Sequence, residues 1–255
     1  MNLLLTNDDG YGSDGIEALY EALSAEHSVW IVAPSANRSG CSCGINMARP
    51  LRLEERGGEG SFRFSLDGTP ADCVIAAVKG GFLPGRIDAV ISGINRDGNL
   101  GTDIVYSGTC GAARQGAIYG VPSLALSVER MQGADGEGGF LYGALARFAM
   151  DNLERLVRCC GERGEYFLNV NAPSAERFKG ARWAPVCERE YNDYIALERA
   201  DGCAFTSLLG GVGIESLGEA GHDQITVQEG YVSVSRIRAL PVSEHQGLAE
   251  DFVCS

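Results

Sequence analysis

Histidine is scarce in this chain. There are three, His27, His222 and His245, and none is anchored in a motif, so none can be assigned as a general acid. Basic residues are outnumbered, 21 Lys and Arg against 34 Asp and Glu, for a formal net charge of -13. Such a chain repels polymeric nucleic acid and anionic membrane, so neither is expected as a partner. An anionic substrate would need a local cation. No stretch approaches the ~20 apolar residues that a spanning helix needs. The opening apolar run is short and has no basic flank, so no signal peptide is expected. Cys-x-x-Cys pairs are missing from the nine cysteines, and neither Cys41/Cys43 nor Cys159/Cys160 has the spacing of structural zinc. Reduced thiols and a cytoplasmic protein are the expectation. Repeats and low-complexity blocks are absent. No G-x-G-x-x-G dinucleotide fingerprint is expected anywhere in the chain, and Gly210 to Gly213 lacks a strand-to-helix context.

What is present fits one large α/β domain, or one domain with an extension: 255 residues, 45% hydrophobic and 22% charged. The chain is organised around Leu3 to Tyr11, LLLTNDDGY. Leu3 to Leu5 read as a strand buried on both faces, as in a parallel sheet. The adjacent carboxylates Asp8 and Asp9 follow at its end. They repel each other, and a hard divalent cation would compensate well. Alone, Asp-Asp-Gly also reads as a polar turn.

A helix with Ile16, Leu19, Tyr20 and Leu23 on one face follows, capped by Ser13 or Asp14. Val29 to Val32 is the second strand, which makes a βαβ unit with a right-handed crossover. The small polar loop Pro34 to Gly44 then leaves the edge where open parallel sheets bind ligands. That makes Ser39 a candidate ligand or phosphate contact, or simply loop. A hairpin is expected over about 50–67. Thr69-Pro70-Ala71-Asp72 opens a helix, with cap, Pro at N1 and carboxylate at N3.

Ile87 to Ile91 is a further buried strand, with Asn95 just past its end. The amide oxygen of Asn95 can complete a hard-cation site. Ser107-Gly108-Thr109 opens the next helix and offers hydroxyls and free N–H groups to an anion, or acts as a plain cap. Then come a strand (Val121 to Leu126), a surface loop (Gln132 to Gly139), an amphipathic helix from about Phe140 to Cys159 with Leu141 on its face, and a strand (Tyr166 to Val170). Beyond Pro173 short strands (Ala204 to Leu209, Tyr231 to Ile237) alternate with Gly-rich turns, without crossover helices. The expected organisation is a Rossmann-like, doubly wound, mostly parallel α/β core over 1–173 and a β-rich extension over 174–255 that serves as an oligomerisation arm.

Asp8, Asp9, Ser39, Asn95 and the Ser107 to Thr109 step thus converge on one sheet edge. An oxygen-only site for Mg²⁺ or Mn²⁺ beside a phosphate cradle suggests phosphoryl-ester hydrolysis by a metal-activated water. One of the two aspartates is expected also to orient or deprotonate that water.

The segments LLLTNDDGY, APSANRSG, LDGTPADCV, SGINRDGNLGTD, YSGT and LNVNAP, in this order, resemble the stationary-phase survival protein SurE family, and GYVSVS continues the likeness. The resemblance implies a metal-dependent 5'-nucleotidase. Such an enzyme hydrolyses nucleoside 5'- and also 3'-monophosphates, with short polyphosphate as a further substrate. It implies one divalent cation per subunit on Asp8, Asp9, Ser39 and Asn95. The phosphate would lie at Ser107, Gly108 and Thr109, with Asn95 reaching it from the metal side. A homodimer or homotetramer is implied too. The chain departs from the family pattern at Gln115, at Cys41-Ser42-Cys43 and at His222, none of them a metal ligand. A haloacid-dehalogenase-type phosphatase would need Asp-x-Asp rather than adjacent aspartates. A non-catalytic, cation-dependent nucleotide-binding module is the other alternative.

Overall fold

Leu3, Leu4 and Leu5 have no solvent exposure, because β1 (Asn2–Thr6) lies in the interior of a large sheet whose faces are both covered. The computed structural model describes residues 1–58, 60–130, 139–161, 164–191, 194–200, 203–209, 214–216 and 218–243. After β1 come α1 (Asp14–Leu23), β2 (Ser28–Pro34), β3 (Leu53–Glu55), β4 (Arg63–Leu66), α2 (Pro70–Lys79) and β5 (Ala89–Arg96). A 3₁₀ turn (Gly101–Val105) leads into α3 (Gly108–Ile118), β6 (Ser123–Glu129), α4 (Gly143–Cys159) and β7 (Tyr166–Pro173). The remainder comprises β8 (Ala181–Trp183), β9 (Arg189–Tyr191), β10 (Tyr194–Ala200), β11 (Cys203–Leu209), β12 (Ile214–Ser216), α5 (Asp223–Gln228) and β13 (Val232–Arg238).

The main sheet runs β3-β4-β2-β1-β5-β6-β7-β13-β8. The strands from β4 to β7 are mutually parallel, while β3 and β13 pair antiparallel to β4 and β7. The chain runs outward from β1 in one direction to β2 and β4, and in the other to β5, β6 and β7. A crevice therefore opens between the carboxyl ends of β1 and β5.

Alternating side chains divide the core between two faces. Leu3, Leu5, Ile31 and Ile91 pack with α1 and α4, and Leu4, Trp30, Val32 and Val90 pack with α2. α2 and α3 lie together on that second face. Since α3 and α4 join strands that advance in the same direction yet lie on opposite faces, the α4 crossover has the opposite hand to the other three.

Several boundaries differ from the sequence expectation. β5 begins at Ala89 and continues through Asn95 after a register shift between Ser92 and Asn95, so that residue belongs to the strand's last turn of pairing. β6 starts later than expected, at Ser123, because Pro122 cannot donate to the ladder, and it pairs with β7 as far as Glu129. α4 starts at Gly143, which leaves Leu141 exposed before the helix. The loop at 132–138 lies outside the described residues, as does Gly210 to Gly213. Beyond Pro173 the chain does contain a helix, α5, and the short runs do not all stay apart from the core: β13 and β8 extend the main sheet. β10 pairs with β11, and β9 with β12, in two small separate sheets.

Candidate active site

Local chemistry at the end of β1 explains why the chain turns there. Asn7 braces the turn, its Nδ2 donating to the Gly10 carbonyl (3.0 Å) and to Ser13 Oγ (2.7 Å) while its Oδ1 accepts the Gly10 N–H (3.2 Å). Gly10 has φ +106°, open to glycine alone without strain. The loop after β2 is stitched onto this turn: the Tyr11 N–H donates to the Pro34 carbonyl and the Arg38 N–H to the Asp8 carbonyl, both at 2.7 Å. The same stretch holds a motif that sequence reasoning passed over. Gly10 to Gly15, GYGSDG, has G-x-G-x-x-G spacing between a strand and a helix. The structure uses it for geometry. A Cβ on Gly15 would stand 1.9 Å from the Ile94 carbonyl oxygen, so α1 packs backbone to backbone on β5. With the Gly10 N–H taken by Asn7 and two aspartates beside it, the turn offers no pyrophosphate cradle.

Asp8 is buried, and fully buried Thr109 donates its hydroxyl to Asp8 Oδ1. The N–H groups of Gly108 and Thr109 face the same carboxylate, so the anion at the α3 N-terminus is Asp8 itself. Burial still outweighs these donors and raises the Asp8 pKa above the usual carboxylate range. Asp9 is half-buried, and burial, followed by the charge of Asp8, pushes its pKa up to about 6. The Arg96 N–H, donating to Asp9 Oδ2 at 3.3 Å, opposes this weakly. Two adjacent carboxylates held high mark a place short of positive charge.

Asn95 is buried. Its Nδ2 donates to the Asp97 carbonyl at 2.8 Å, which leaves the amide oxygen to accept. Ser39 is exposed in the loop opposite, its N–H donating to Asn37 Oδ1 at 2.9 Å. Ser107 is the N-cap of α3, its Oγ accepting the Cys110 N–H at 3.0 Å. A Cβ on Gly108 would come within 2.8 Å of Asp8 Cβ and 2.9 Å of its Oδ2, so glycine lets α3 approach this closely.

Asp8, Ser39, Asn95 and Ser107 line one cavity of about 640 Å³ at the crevice between β1 and β5. Asp9, Gly108 and Thr109 are not in its wall. Sequence reasoning missed most of the remaining wall, including Arg96, Asn99, Asp103, Tyr106 and Tyr191. Asp103 accepts hydrogen bonds from Arg189 and from the Tyr191 hydroxyl, which ties the 3₁₀ turn to β9. No local signal links residues that lie more than eighty positions apart.

Among the described residues no three His, Cys, Asp or Glu side chains form a metal-holding group. The donors at hand are two carboxylates, a hydroxyl and an amide oxygen. That set suits a hard cation of the Mg²⁺ or Mn²⁺ type and not a thiolate-held metal.

Comparison with known proteins agrees with this architecture. Residues 3–193 match the family described as Survival protein SurE. The chain is 37% identical over 241 residues to a 5'-nucleotidase SurE of Petrotoga mobilis, covering 92% of each chain. It is also 37% identical over 256 residues to a 5'-nucleotidase SurE of Chloroflexus aggregans, covering 98% of this chain and 97% of the relative. The crystal structure of a SurE protein from Aquifex aeolicus superposes with a TM-score of 0.78 at 33% identity, over 95% of both chains. With its doubly wound sheet, its strand-end aspartates and a family match over most of its length, this chain belongs to the SurE family.

Proposed function

We propose that the chain is a metal-dependent phosphoric monoester hydrolase, a 5'-nucleotidase that converts nucleoside monophosphates to nucleoside and phosphate. The observation that carries this reading is the pair Asp8 and Asp9, both held above the usual carboxylate range beside one polar cavity and the α3 N-terminus. The names of the relatives point the same way. Activity on 3'-monophosphates and short polyphosphate is part of the proposal.

Asp8, Asp9, Ser39 and Asn95 would hold one Mg²⁺ or Mn²⁺ per subunit. Bound there, a divalent cation acidifies water and offsets the charge of phosphoryl oxygens. Thr109 holds Asp8 in place through both its hydroxyl and its N–H, so its part at the phosphate end is to fix that carboxylate. Ser107 accepts from Cys110 and retains its own hydroxyl hydrogen to donate to a phosphoryl oxygen. Gly108 lets α3 close on Asp8, which brings the neighbouring Ser107 to the cavity beside that carboxylate. The Asn95 amide reaches the same oxygens from the metal side. Asp9, less buried than Asp8, orients the attacking water and accepts its proton.

No described helix is long and apolar enough to cross a membrane, and the -13 charge disfavours polymeric nucleic acid. We also assign the chain to the cytoplasm and to a homodimer or homotetramer. The hairpin of β10 and β11, which forms its own two-stranded sheet, suits an arm that pairs between subunits. Sedimentation at micromolar concentration tests this, and a monomer would refute it.

The test of function is a panel of mononucleotides, ribose 5-phosphate and short polyphosphate, run with Mg²⁺, with Mn²⁺ and with chelator. Release of phosphate from AMP that chelator abolishes is the expected result. Equal rates with and without chelator would refute the metal role. Binding of nucleotide without any turnover would leave the site a binding module.

A further inference from the structure

Tyr106 is an aromatic side chain left open beside the phosphate end of the site. The residue is 59% exposed, yet it lines the same cavity as Asp8, Ser39 and Asn95 and directly precedes Ser107. Among the described residues the ring packs on no other ring or guanidinium, and its hydroxyl has no partner. The backbone around it is fixed. The Tyr106 N–H donates to the Asp103 carbonyl (3.0 Å), and its carbonyl accepts the Ser42 N–H (2.9 Å). The other tyrosine in the wall, Tyr191, is held by Asp103 through its hydroxyl. An anchored backbone carrying an unpacked aromatic face costs solvent-exposed apolar area unless something flat covers it.

We propose that the nucleobase of the substrate stacks on the ring of Tyr106. The proposal rests on the nucleotidase reading and extends it to the base. The cavity, about 640 Å³, lies within the range of pockets that enclose small organic ligands. A phosphate at Ser107 would place the attached nucleoside along the neighbouring wall, where Tyr106 stands. Stacking on a tyrosine accepts any base, since every base presents a π-face. The site therefore takes purine and pyrimidine nucleotides alike, and it separates nucleotides from plain sugar phosphates.

The test measures equilibrium binding and kcat/KM for AMP, UMP and ribose 5-phosphate with Mn²⁺, in the parent protein, Tyr106→Ala and Tyr106→Phe. In the parent, AMP and UMP both bind more tightly than ribose 5-phosphate. Tyr106→Ala lowers that preference roughly tenfold or more, and Tyr106→Phe keeps it. A parent that binds AMP no better than ribose 5-phosphate overturns the proposal, whatever it hydrolyses. So does a preference unchanged in Tyr106→Ala, or lost equally in Tyr106→Phe. If Tyr106→Ala alters only the sedimenting mass, the ring belongs to a subunit contact and the proposal also fails. Tight AMP binding without hydrolysis would sink the nucleotidase reading and leave the stacking intact.

Discussion

Asp8 and Asp223 are buried to nearly the same depth, 3% and 0% exposed, but they are furnished very differently. Asp223 accepts the N–H groups of Gly101 (2.8 Å), Cys187 (2.9 Å) and Gln224 (2.9 Å) and joins the 3₁₀ turn to the segment before β9. Its charge is spent on structure. Asp8 receives the Thr109 hydroxyl and the fringe of a helix N-terminus, has a second carboxylate beside it, and is left with a raised pKa. A buried carboxylate fixed by N–H groups away from any cavity is a rivet, whereas one that lines a cavity with a second carboxylate beside it is a place that suits a cation.

The largest expected effect breaks the comparison if it fails. Asp8→Asn removes the charge that would hold the cation, and turnover should fall roughly a thousandfold or more. Thermal stability without metal should hold or rise, because the buried charge is gone. Steady-state kinetics beside a melting curve decides it. An Asp8→Asn protein that melts early yet works within tenfold of the parent would make Asp8 a second rivet.

Asp223→Asn should do the opposite. The amide NH₂ would face backbone N–H groups that now donate to a carboxylate. The loss should be about 3 kcal/mol of stability, read from urea unfolding. Per folded molecule, the rate should stay within tenfold. A folded but inactive Asp223→Asn protein would show that the junction positions the cavity wall and does more than hold the fold.

The two aspartates also differed in how far they could be read in advance. Asp8 and Asp9 follow an apolar run within a few residues, so their place at a strand end was legible. So was the α2 start: Thr69 accepts the Asp72 N–H and Asp72 accepts the Thr69 N–H, a box contained in four residues. Asp223 was not, because its partners Gly101 and Cys187 are brought to it by the fold. Asp103, Arg189 and Tyr191 were hidden for the same reason. The placement of α4 on the α1 face leaves no trace in its amphipathic pattern, which would pack equally well on either side of the sheet. Asn95 was assigned to the right edge but the wrong element, since a register shift carries β5 further than its apolar run.

A smaller effect sharpens the contrast through pH. In cation-free protein the Asp9 pKa is raised to about 6, so its folded form prefers the proton. That contribution to stability is complete below the unfolded pKa near 4 and is lost as pH rises through about 6. Solvent screening at this half-buried group limits the change to about 1–2 kcal/mol. The cation-free protein should therefore melt progressively lower from about pH 4 to about pH 6, relative to Asp9→Asn, and change little above that. Saturating Mg²⁺ or Mn²⁺ should abolish the difference. A difference that persists in saturating metal would mean that Asp9 does not meet the cation.

The smallest effect compares two helix caps in the way the aspartates are compared. Thr69 caps α2, taking the Asp72 N–H at 3.1 Å and donating to the Gly44 carbonyl at 2.6 Å. Both its acceptor and its donor functions are engaged, away from the cavity wall. Ser107 caps α3 by accepting the Cys110 N–H, but unlike Thr69 it lines the cavity. Replacing either by Ala should cost about 1 kcal/mol of stability. Thr69→Ala should stop there, with its rate unchanged. Ser107→Ala should also weaken inhibition by vanadate and lower turnover about tenfold, because it removes a donor aimed at the phosphoryl group. Measured together, the melts and the vanadate titrations separate a hydroxyl that only ends a helix from one that ends a helix and meets substrate. If the two substitutions differ in neither assay, Ser107 is a cap alone, and the phosphate rests on Asn95 and the cation.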